Sequence, residues 1–215
     1  MQTKPSMYRN MFLMISMILL VSCTSVTTAD ILAGSETCSP PCWMDIQPGL
    51  TKTDDMVEIL KEHENKGEGN LALLDSGIVR WQSADDYNLY IYESSDGIVS
   101  KMELGQRQRS IHLEDVIALF GAPSNLDIGK IRDGFFWATI FYPEEGLAFI
   151  AGGDKFDVHQ ANIGFVIQPN MNVAKSIFFQ PTEISSIVPL LYGENAVPEA
   201  LSDIQDWNGY GVYYE

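Results

Sequence analysis

Three cysteines and three histidines are the side chains of this 215-residue chain that best suit nucleophilic, redox or metal chemistry. They are Cys23, Cys38, Cys42, His63, His112 and His159. A structural zinc site needs four ligands, and the histidines lack the short spacing that ligand pairs show. Redox cysteine pairs usually have two intervening residues, whereas Cys38 and Cys42 have three. We therefore expect no metal site and no cysteine–histidine nucleophile, and each cysteine needs another role.

Residues 1–22 have the three-part layout of a secretory signal. Lys4 and Arg9 give a positive start, and the apolar run from Met11 to Val21 is interrupted only by Ser16. At about 1.5 Å per helical residue, this run is too short for the roughly 30 Å hydrocarbon core of a bilayer. The pattern therefore favours a signal peptide over a transmembrane helix.

Leu20-Val21-Ser22-Cys23 resembles the lipobox of bacterial lipoproteins. The resemblance implies that the Cys23 thiol is diacylated and that cleavage before Cys23 makes it the new amino terminus. Each methylene of an acyl chain that is buried in the bilayer contributes about 0.8 kcal/mol to membrane binding. Two or more chains would therefore give a stable membrane anchor. Thr24 differs from the aspartate of enterobacterial inner-membrane retention, so by resemblance the protein is expected on the extracytoplasmic face of the envelope, at the outer membrane if the cell has one. The alternatives are an ordinary signal peptide with a chance cysteine, or a short core helix.

With Cys23 assigned to the lipid, Cys38 and Cys42 are left to pair with each other. An exported protein enters an oxidising compartment, where disulfides form. The loop between them contains Pro40 and Pro41, which bend it before closure. Closing so small a loop is worth about 2 kcal/mol in the chain-entropy model. We predict a structural disulfide.

The charge balance limits the partners of the chain. It has 29 acidic and 13 basic residues, and its net charge of −16 becomes −18 once Lys4 and Arg9 leave with the signal. Such a surface disfavours nucleic acid and anionic lipid, leaving the acyl chains as the membrane attachment. No nucleophile elbow, zinc-protease helix or phosphate loop occurs in the sequence. We expect no cofactor and lean against an enzyme.

Local patterns predict a helix followed by a hairpin in the first half. Thr51 or Thr53 is the expected cap of a helix that ends within the polar stretch 62–70. Ile78 to Trp81 suits a short strand. Asp96-Gly97 is a two-residue turn signal within 89–104. Placing it at the tip gives the pairs Ile91–Met102, Leu89–Leu104, Tyr92–Lys101 and Tyr90–Glu103, with one aliphatic and one amphipathic face.

The second half repeats this order with more strands. A helix over 112–120 ends at Gly121 and is followed by Pro123. Apolar runs at 135–142 and 147–151 flank a turn and should be central strands, and runs at 163–167 and 173–179 flank another. Helical spacing at 184–192, despite Pro189, and a helix over 198–207 precede an aromatic tail.

The two helices share the pattern Asp-x-Val/Ile over 55–60 and 115–120, which suggests two diverged helix-plus-sheet units. Pro48-Gly49-Leu50-Thr51 and Phe120-Gly121-Ala122-Pro123 resemble small outer-membrane lipoproteins of the SmpA/OmlA type, and the tandem order is similar to secreted β-lactamase-inhibitor proteins. These resemblances imply helices packed on one face of antiparallel sheets. We predict an α+β fold with a signal peptide (1–22), a lipidated tether (23–37), a helix-plus-hairpin unit (38–105), a helix-plus-sheet unit (106–181) and a C-terminal helical and aromatic tail (182–215).

Aromatic residues are the remaining candidates for recognition. Trp81, Trp137, Tyr90, Tyr92, Tyr210, Tyr213 and Tyr214 could form a carbohydrate or peptide platform, although large aromatics more often fill cores. Tyr90 and Tyr92 fall on the amphipathic hairpin face and are the favoured surface. The sequence thus predicts an envelope lipoprotein that binds another protein or assists envelope assembly. The alternative is an envelope hydrolase or carbohydrate-binding module whose site forms only on folding.

Overall fold

The computed structural model describes Leu32 and residues 38–74, 77–84, 87–106, 111–130, 136–153 and 164–214. The signal segment, Cys23, most of the predicted tether and His159 lie outside the described residues. Within the tether, Leu32 is buried in the main core. None of the described helices combines the length and hydropathy needed to cross a membrane.

The chain alternates short helices with antiparallel strands. In order, the elements are α1 (Thr53–Asn65), β1 (Gly69–Leu73), β2 (Ile78–Ser83), β3 (Tyr87–Glu93), β4 (Val99–Gln106), β5 (Ile111–His112), α2 (Leu113–Phe120), β6 (Asn125–Lys130), β7 (Phe136–Tyr142), β8 (Leu147–Gly153), β9 (Gly164–Ile167), β10 (Asn172–Phe179), α3 (Ile184–Tyr192), a 3₁₀ turn (Glu194–Ala196), α4 (Val197–Asp203), β11 (Gln205–Asp206) and β12 (Gly211–Tyr214). The predicted α+β class is confirmed.

One ten-stranded antiparallel sheet connects both halves, with the order β1-β2-β3-β4-β10-β8-β7-β6-β11 and β5 paired to β10. Strands β1 to β4 follow α1 in the chain and form one meander. Strands β6, β7, β8 and β10 follow α2 and form a second. The last strands of the two meanders, β4 and β10, pair with each other along residues 101–105 and 175–179. The two meanders therefore form one continuous sheet, and they join where β4 pairs with β10.

The predicted hairpin register between β3 and β4 is confirmed. The structure pairs Leu89 with Leu104, Tyr90 with Glu103, Ile91 with Met102 and Tyr92 with Lys101. The aliphatic members of these pairs are fully buried, and the polar and aromatic members lie on the opposite face. A register shift follows between Tyr92 and Glu93, at the approach to the turn.

The predicted threonine cap of α1 is wrong. The N-cap residue is Lys52, which makes no side-chain hydrogen bond to the helix. The Thr51 hydroxyl instead accepts the backbone N–H of Gln47 at 2.8 Å, so it stabilises the turn before the helix. The Thr53 hydroxyl is buried and has no hydrogen-bond partner among the described residues.

Two hydrophobic cores lie on opposite faces of the sheet because neighbouring strand residues alternate in direction. The larger core joins both meanders to α1 and α2 and contains Met56, Leu60, Val116, Trp81, Phe149 and Phe178. The smaller core contains Phe141, Ala148, Ile177, Phe179 and Ile187, and it packs α3 against the second meander. The helices that follow the second meander therefore cover the face opposite to α1 and α2.

The C-terminal region differs from the predictions in its pairing. Helix α3 keeps Pro189 inside it, as expected. Helix α4 stops at Asp203, short of the predicted Trp207, because Gln205 and Asp206 pair with β6 as a strand. The aromatic tail forms β12, which pairs with β9 in a separate two-stranded sheet. Strands β9 and β10 flank the predicted turn but pair with other strands.

Candidate functional site

Cys38 and Cys42 form a disulfide bond, as predicted. The backbone N–H of Asp45 donates to the Cys38 sulfur at 3.2 Å. Among the described residues, these three form the one group of three or more cysteine, histidine or acidic side chains whose potential ligand atoms all lie within 4.8 Å of one another. Because each sulfur is bonded to the other, neither is a free thiolate ligand, and the structure supports a covalent staple at the start of the described fold.

The two described histidines have local structural partners. His63 Nδ1 lies 2.6 Å from Glu68 Oε2, beyond the end of α1. His112 is the N-cap residue of α2, and its backbone N–H donates to Asp115 Oδ2 at 2.9 Å. Both histidines therefore lie at helix ends and interact with nearby acidic residues.

The predicted surface around Tyr90 and Tyr92 belongs to one face of strands β2, β3 and β4. We call this surface the β2–β4 face; its residues are Arg80, Tyr90, Tyr92, Lys101 and Glu103, which the strand registers place side by side. Tyr90 and Tyr92 are half-buried, and neither belongs to either core. The tyrosines are therefore packed among their neighbours with part of each ring open to solvent.

A buried carboxylate organises the β2–β4 face. Glu103 has a side chain that is 11% exposed, and its two oxygens accept from Lys101 Nζ at 2.8 Å and Lys175 Nζ at 2.7 Å. Lys101 Nζ also lies 4.3 Å from the centre of the Tyr92 ring, a cation–π geometry. One carboxylate thus fixes two lysines and one aromatic ring from strands β3, β4 and β10.

The pKa shifts agree with this arrangement. Burial opposes ionisation of Glu103, but the hydrogen bonds and charges of Lys101 and Lys175 outweigh it, so the pKa of Glu103 is lowered. Burial, together with the nearby Glu103 carboxylate, raises the pKa of Tyr92 to about 12. At neutral pH, Glu103 is a carboxylate and Tyr92 keeps its phenolic proton.

Lys175 also lines a second surface feature, which we call the Trp137 depression. It is an open hollow of about 400 Å³ lined by Asp127, Gly129, Trp137, Thr139, Ile150, Ala174, Lys175 and Tyr192. Strands β6, β7, β8 and β10 form its floor, and the last residue of α3, Tyr192, forms part of its wall. Lys175 therefore lines the depression and also forms an ion pair with Glu103 of the β2–β4 face.

Polar groups inside the Trp137 depression are held by one another. The Tyr192 hydroxyl donates to Asp127 Oδ2 at 2.7 Å and lies 2.9 Å from Thr139 Oγ1. Burial raises the pKa of Asp127, although the Tyr192 hydrogen bond opposes this shift. Burial also raises the pKa of Tyr192. The depression therefore offers a fixed acceptor and hydroxyl groups beside an indole ring.

Sequence patterns identified only part of these features. Trp137 belongs to the aromatic residues predicted as a possible platform, whereas Trp81 from the same set is completely buried core. Lys175 is 72 positions from Glu103, and Tyr192 is 65 positions from Asp127. Such distant pairs leave no local spacing signal, so the ion network and the polar lining of the depression could not be predicted.

Comparison of the chain with family models, with curated proteins and with solved structures finds no match. The chemistry of the described residues is therefore the basis for assigning a role. Glu103 is fully engaged by two lysines, and the described lining of the Trp137 depression contains a single carboxylate, Asp127. Both features are suited to recognition through aromatic surface and hydrogen bonds.

Proposed function

We propose that this chain is a lipid-anchored, non-enzymatic protein of the extracytoplasmic bacterial envelope that binds another envelope protein through its β2–β4 face. The observation that carries the proposal is the ion-paired aromatic surface around Glu103, which lies outside both cores. Tyrosine and arginine are enriched in protein interfaces and in their energetic hot spots. Tyr90, Tyr92 and Arg80 supply these residue types on one sheet face.

Rigidity supports the binding role. Binding surfaces lose affinity when flexible side chains must be ordered on association. The salt bridges at 2.8 and 2.7 Å and the contact between Lys101 and Tyr92 order these side chains before any partner arrives. A partner would therefore meet a surface whose side-chain positions are already set.

The charges on the β2–β4 face indicate which chemical groups its partner presents. The chain is strongly acidic, yet the five residues of the β2–β4 face include two cations, Arg80 and Lys101, and one acid, Glu103, which is paired with Lys101 and Lys175. Complementary charge increases association rates and selects among partners. We expect the partner to present neutral and acidic groups to the β2–β4 face.

Crosslinking in cells tests the interface. A photo-reactive benzoylphenylalanine replaces Tyr90, and the control places the same group at Tyr210, which is 41% exposed in the C-terminal region. The expected result is a defined crosslinked envelope protein from position 90 that is absent from position 210 and that is reduced by Lys101→Glu. Equal crosslinking at the two positions, or unchanged partner recovery by a folded Tyr90→Ser/Tyr92→Ser variant, would refute the interface.

A separate experiment tests the anchor. The lipobox resemblance makes Cys23 the acylated residue, so Cys23→Ala should abolish incorporation of a labelled fatty acid and release the protein from the membrane fraction. Cys38→Ser/Cys42→Ser is the matched control and should keep the label. Unchanged processing, labelling and fractionation of Cys23→Ala would show that the anchor is wrong while leaving the β2–β4 interface open to its own test.

The alternative of an envelope hydrolase has less support from the described residues. Glycoside hydrolysis generally uses a pair of carboxyl groups, one as acid and one as base or nucleophile. The described lining of the Trp137 depression supplies only Asp127. Carbohydrate binding without cleavage is the form of this alternative that the depression favours.

A further inference from the structure

The side chain of Trp137 occupies an unusual place in the sheet. It lies on the central strand β7, whose other residues are buried, yet it is 37% exposed and the most exposed of the four tryptophans. Tryptophan is highly buried on average, because removing its large apolar ring from water is favourable. Exposure at this position leaves part of a large apolar ring available to a ligand.

The neighbouring strands are shaped to seat this ring. Trp137 pairs with Gly129 on β6 and with Gly152 on β8, so glycine lies on both sides of it. A Cβ atom at Gly152 would collide with the six-membered part of the indole, which means that the ring lies directly against the Gly152 backbone. The absence of a side chain there lets the indole lean over β8 within the sheet face.

Hydrogen-bonding groups surround this ring. Asp127 and Thr139 are each less than 8% exposed and are joined through the Tyr192 hydroxyl. Lys175 contributes an ammonium group, of whose three N–H donors Glu103 uses one at 2.7 Å. The depression therefore combines an apolar platform, a carboxylate acceptor, hydroxyl groups and a cationic donor.

We propose that the Trp137 depression binds a neutral saccharide. A pyranose ring has an apolar C–H face that can stack on the indole, and its hydroxyl groups need both acceptors and donors, which Asp127 and Lys175 provide. One acid and one base in the lining disfavour a ligand with a strong charge of either sign. The volume of about 400 Å³ lies near the lower end for small-molecule sites and suits a mono- or disaccharide unit.

This site goes beyond the protein-binding role of the β2–β4 face and does not depend on it. The saccharide contacts Trp137 and Asp127, which lie on β7 and β6, whereas Tyr90 and Tyr92 lie on β3. Lys175 connects the two features, because it lines the depression and pairs with Glu103. Loss of one interaction in a variant of its own residues should therefore leave the other in place.

Titration with defined sugars tests the proposal. The full chain, in a detergent without a sugar headgroup, is titrated with maltotetraose, cellotetraose and N-acetylglucosamine tetramer. Intrinsic tryptophan fluorescence and saturation-transfer NMR are the two readouts. We expect at least one of the three sugars to saturate the protein below about 10 mM and to protect its fluorescence from acrylamide quenching. If none of the three binds by either readout, the proposal is overturned.

Variants locate the bound sugar. Trp137→Ala should weaken binding at least tenfold, and Asp127→Asn should weaken it severalfold. Tyr210→Ala removes another exposed aromatic and should leave the affinity unchanged. Affinity that is equal in the wild type and in folded Trp137→Ala contradicts the site.

A further variant distinguishes a change in the position of the indole ring from a loss of the fold. Gly152→Ala adds one methyl group that displaces the indole while leaving Trp137 itself in the chain. It should reduce saccharide affinity and increase acrylamide quenching, with an unchanged far-ultraviolet circular dichroism spectrum. Full affinity in Gly152→Ala would show that the seating of the ring has no part in recognition.

Discussion

Glu103→Gln is the substitution that best tests the electrostatic design of the β2–β4 face. It keeps the size of the side chain but removes the charge that two lysines share. Lys101 is only 12% exposed and would remain as an uncompensated cation, whereas Lys175 is 39% exposed and can turn towards water. Breaking a buried ion pair costs about 3–5 kcal/mol, and an exposed pair contributes at most about 1 kcal/mol. We therefore expect a loss of about 3 kcal/mol in unfolding free energy.

Calorimetry or thermal circular dichroism measures this loss. For a chain of this size, about 1 kcal/mol corresponds to roughly 2–4 °C in Tm, so Glu103→Gln should lower Tm by roughly 6–12 °C. Glu62→Gln is the matched control, because it breaks the exposed pair with Lys66, in which the Glu62 side chain is 71% exposed. The control should leave Tm nearly unchanged, because solvent and salt screen a fully exposed ion pair.

The pH dependence gives a second readout. The folded-state pKa of Glu103 lies below its ordinary value of 4.5, so the ion network contributes fully above that pH. Its contribution is lost as the pH falls through the folded-state pKa. The difference in stability between wild type and Glu103→Gln should therefore narrow in acid. A difference no larger than that of Glu62→Gln at pH 7, or one that is constant into acid, would refute the reasoning.

Three further predictions concern the backbone, the disulfide and the depression. Gly146→Ala should destabilise the protein by about 3 kcal/mol in denaturant unfolding, since its φ is 67° and an added Cβ would overlap a neighbouring carbonyl; Gly67→Ala, with φ 78° and open space, should cost only about 1 kcal/mol. Cys38→Ser/Cys42→Ser should lose about 2 kcal/mol, and reduction should no longer lower its Tm. Because burial raises the folded-state pKa of Asp127 above its ordinary value of 3.8, the contribution of this carboxyl to stability falls as pH rises through that range, and the unfolding free energy of wild type relative to Asp127→Asn should decrease accordingly.

The hairpin illustrates what could be predicted from sequence. The Asp96-Gly97 turn and the alternation of side chains are both local, and each independently gives the register that pairs Leu89 with Leu104. The second helix likewise ends at Gly121, where the sequence predicts its end. The cap of α1 could not be predicted in the same way, because the Thr51 hydroxyl has a choice of nearby backbone partners and bonds Gln47.

Sequence patterns alone predicted the pairing of Cys38 with Cys42, the α+β class and the two faces of the hairpin, and the structure confirms these three; the lipobox at Cys23 stays a prediction. All of these depend on residues within a few positions of one another, where covalent spacing and side-chain alternation restrict the possibilities. The tertiary structure decided which strands meet across the sheet. Because β4 pairs with β10, Lys175 reaches Glu103, and because α3 covers the second meander, Tyr192 reaches Asp127. Long-range contacts of this kind follow from how whole elements pack, so the ion pairs of Glu103 and the Trp137 depression appear only in the folded chain.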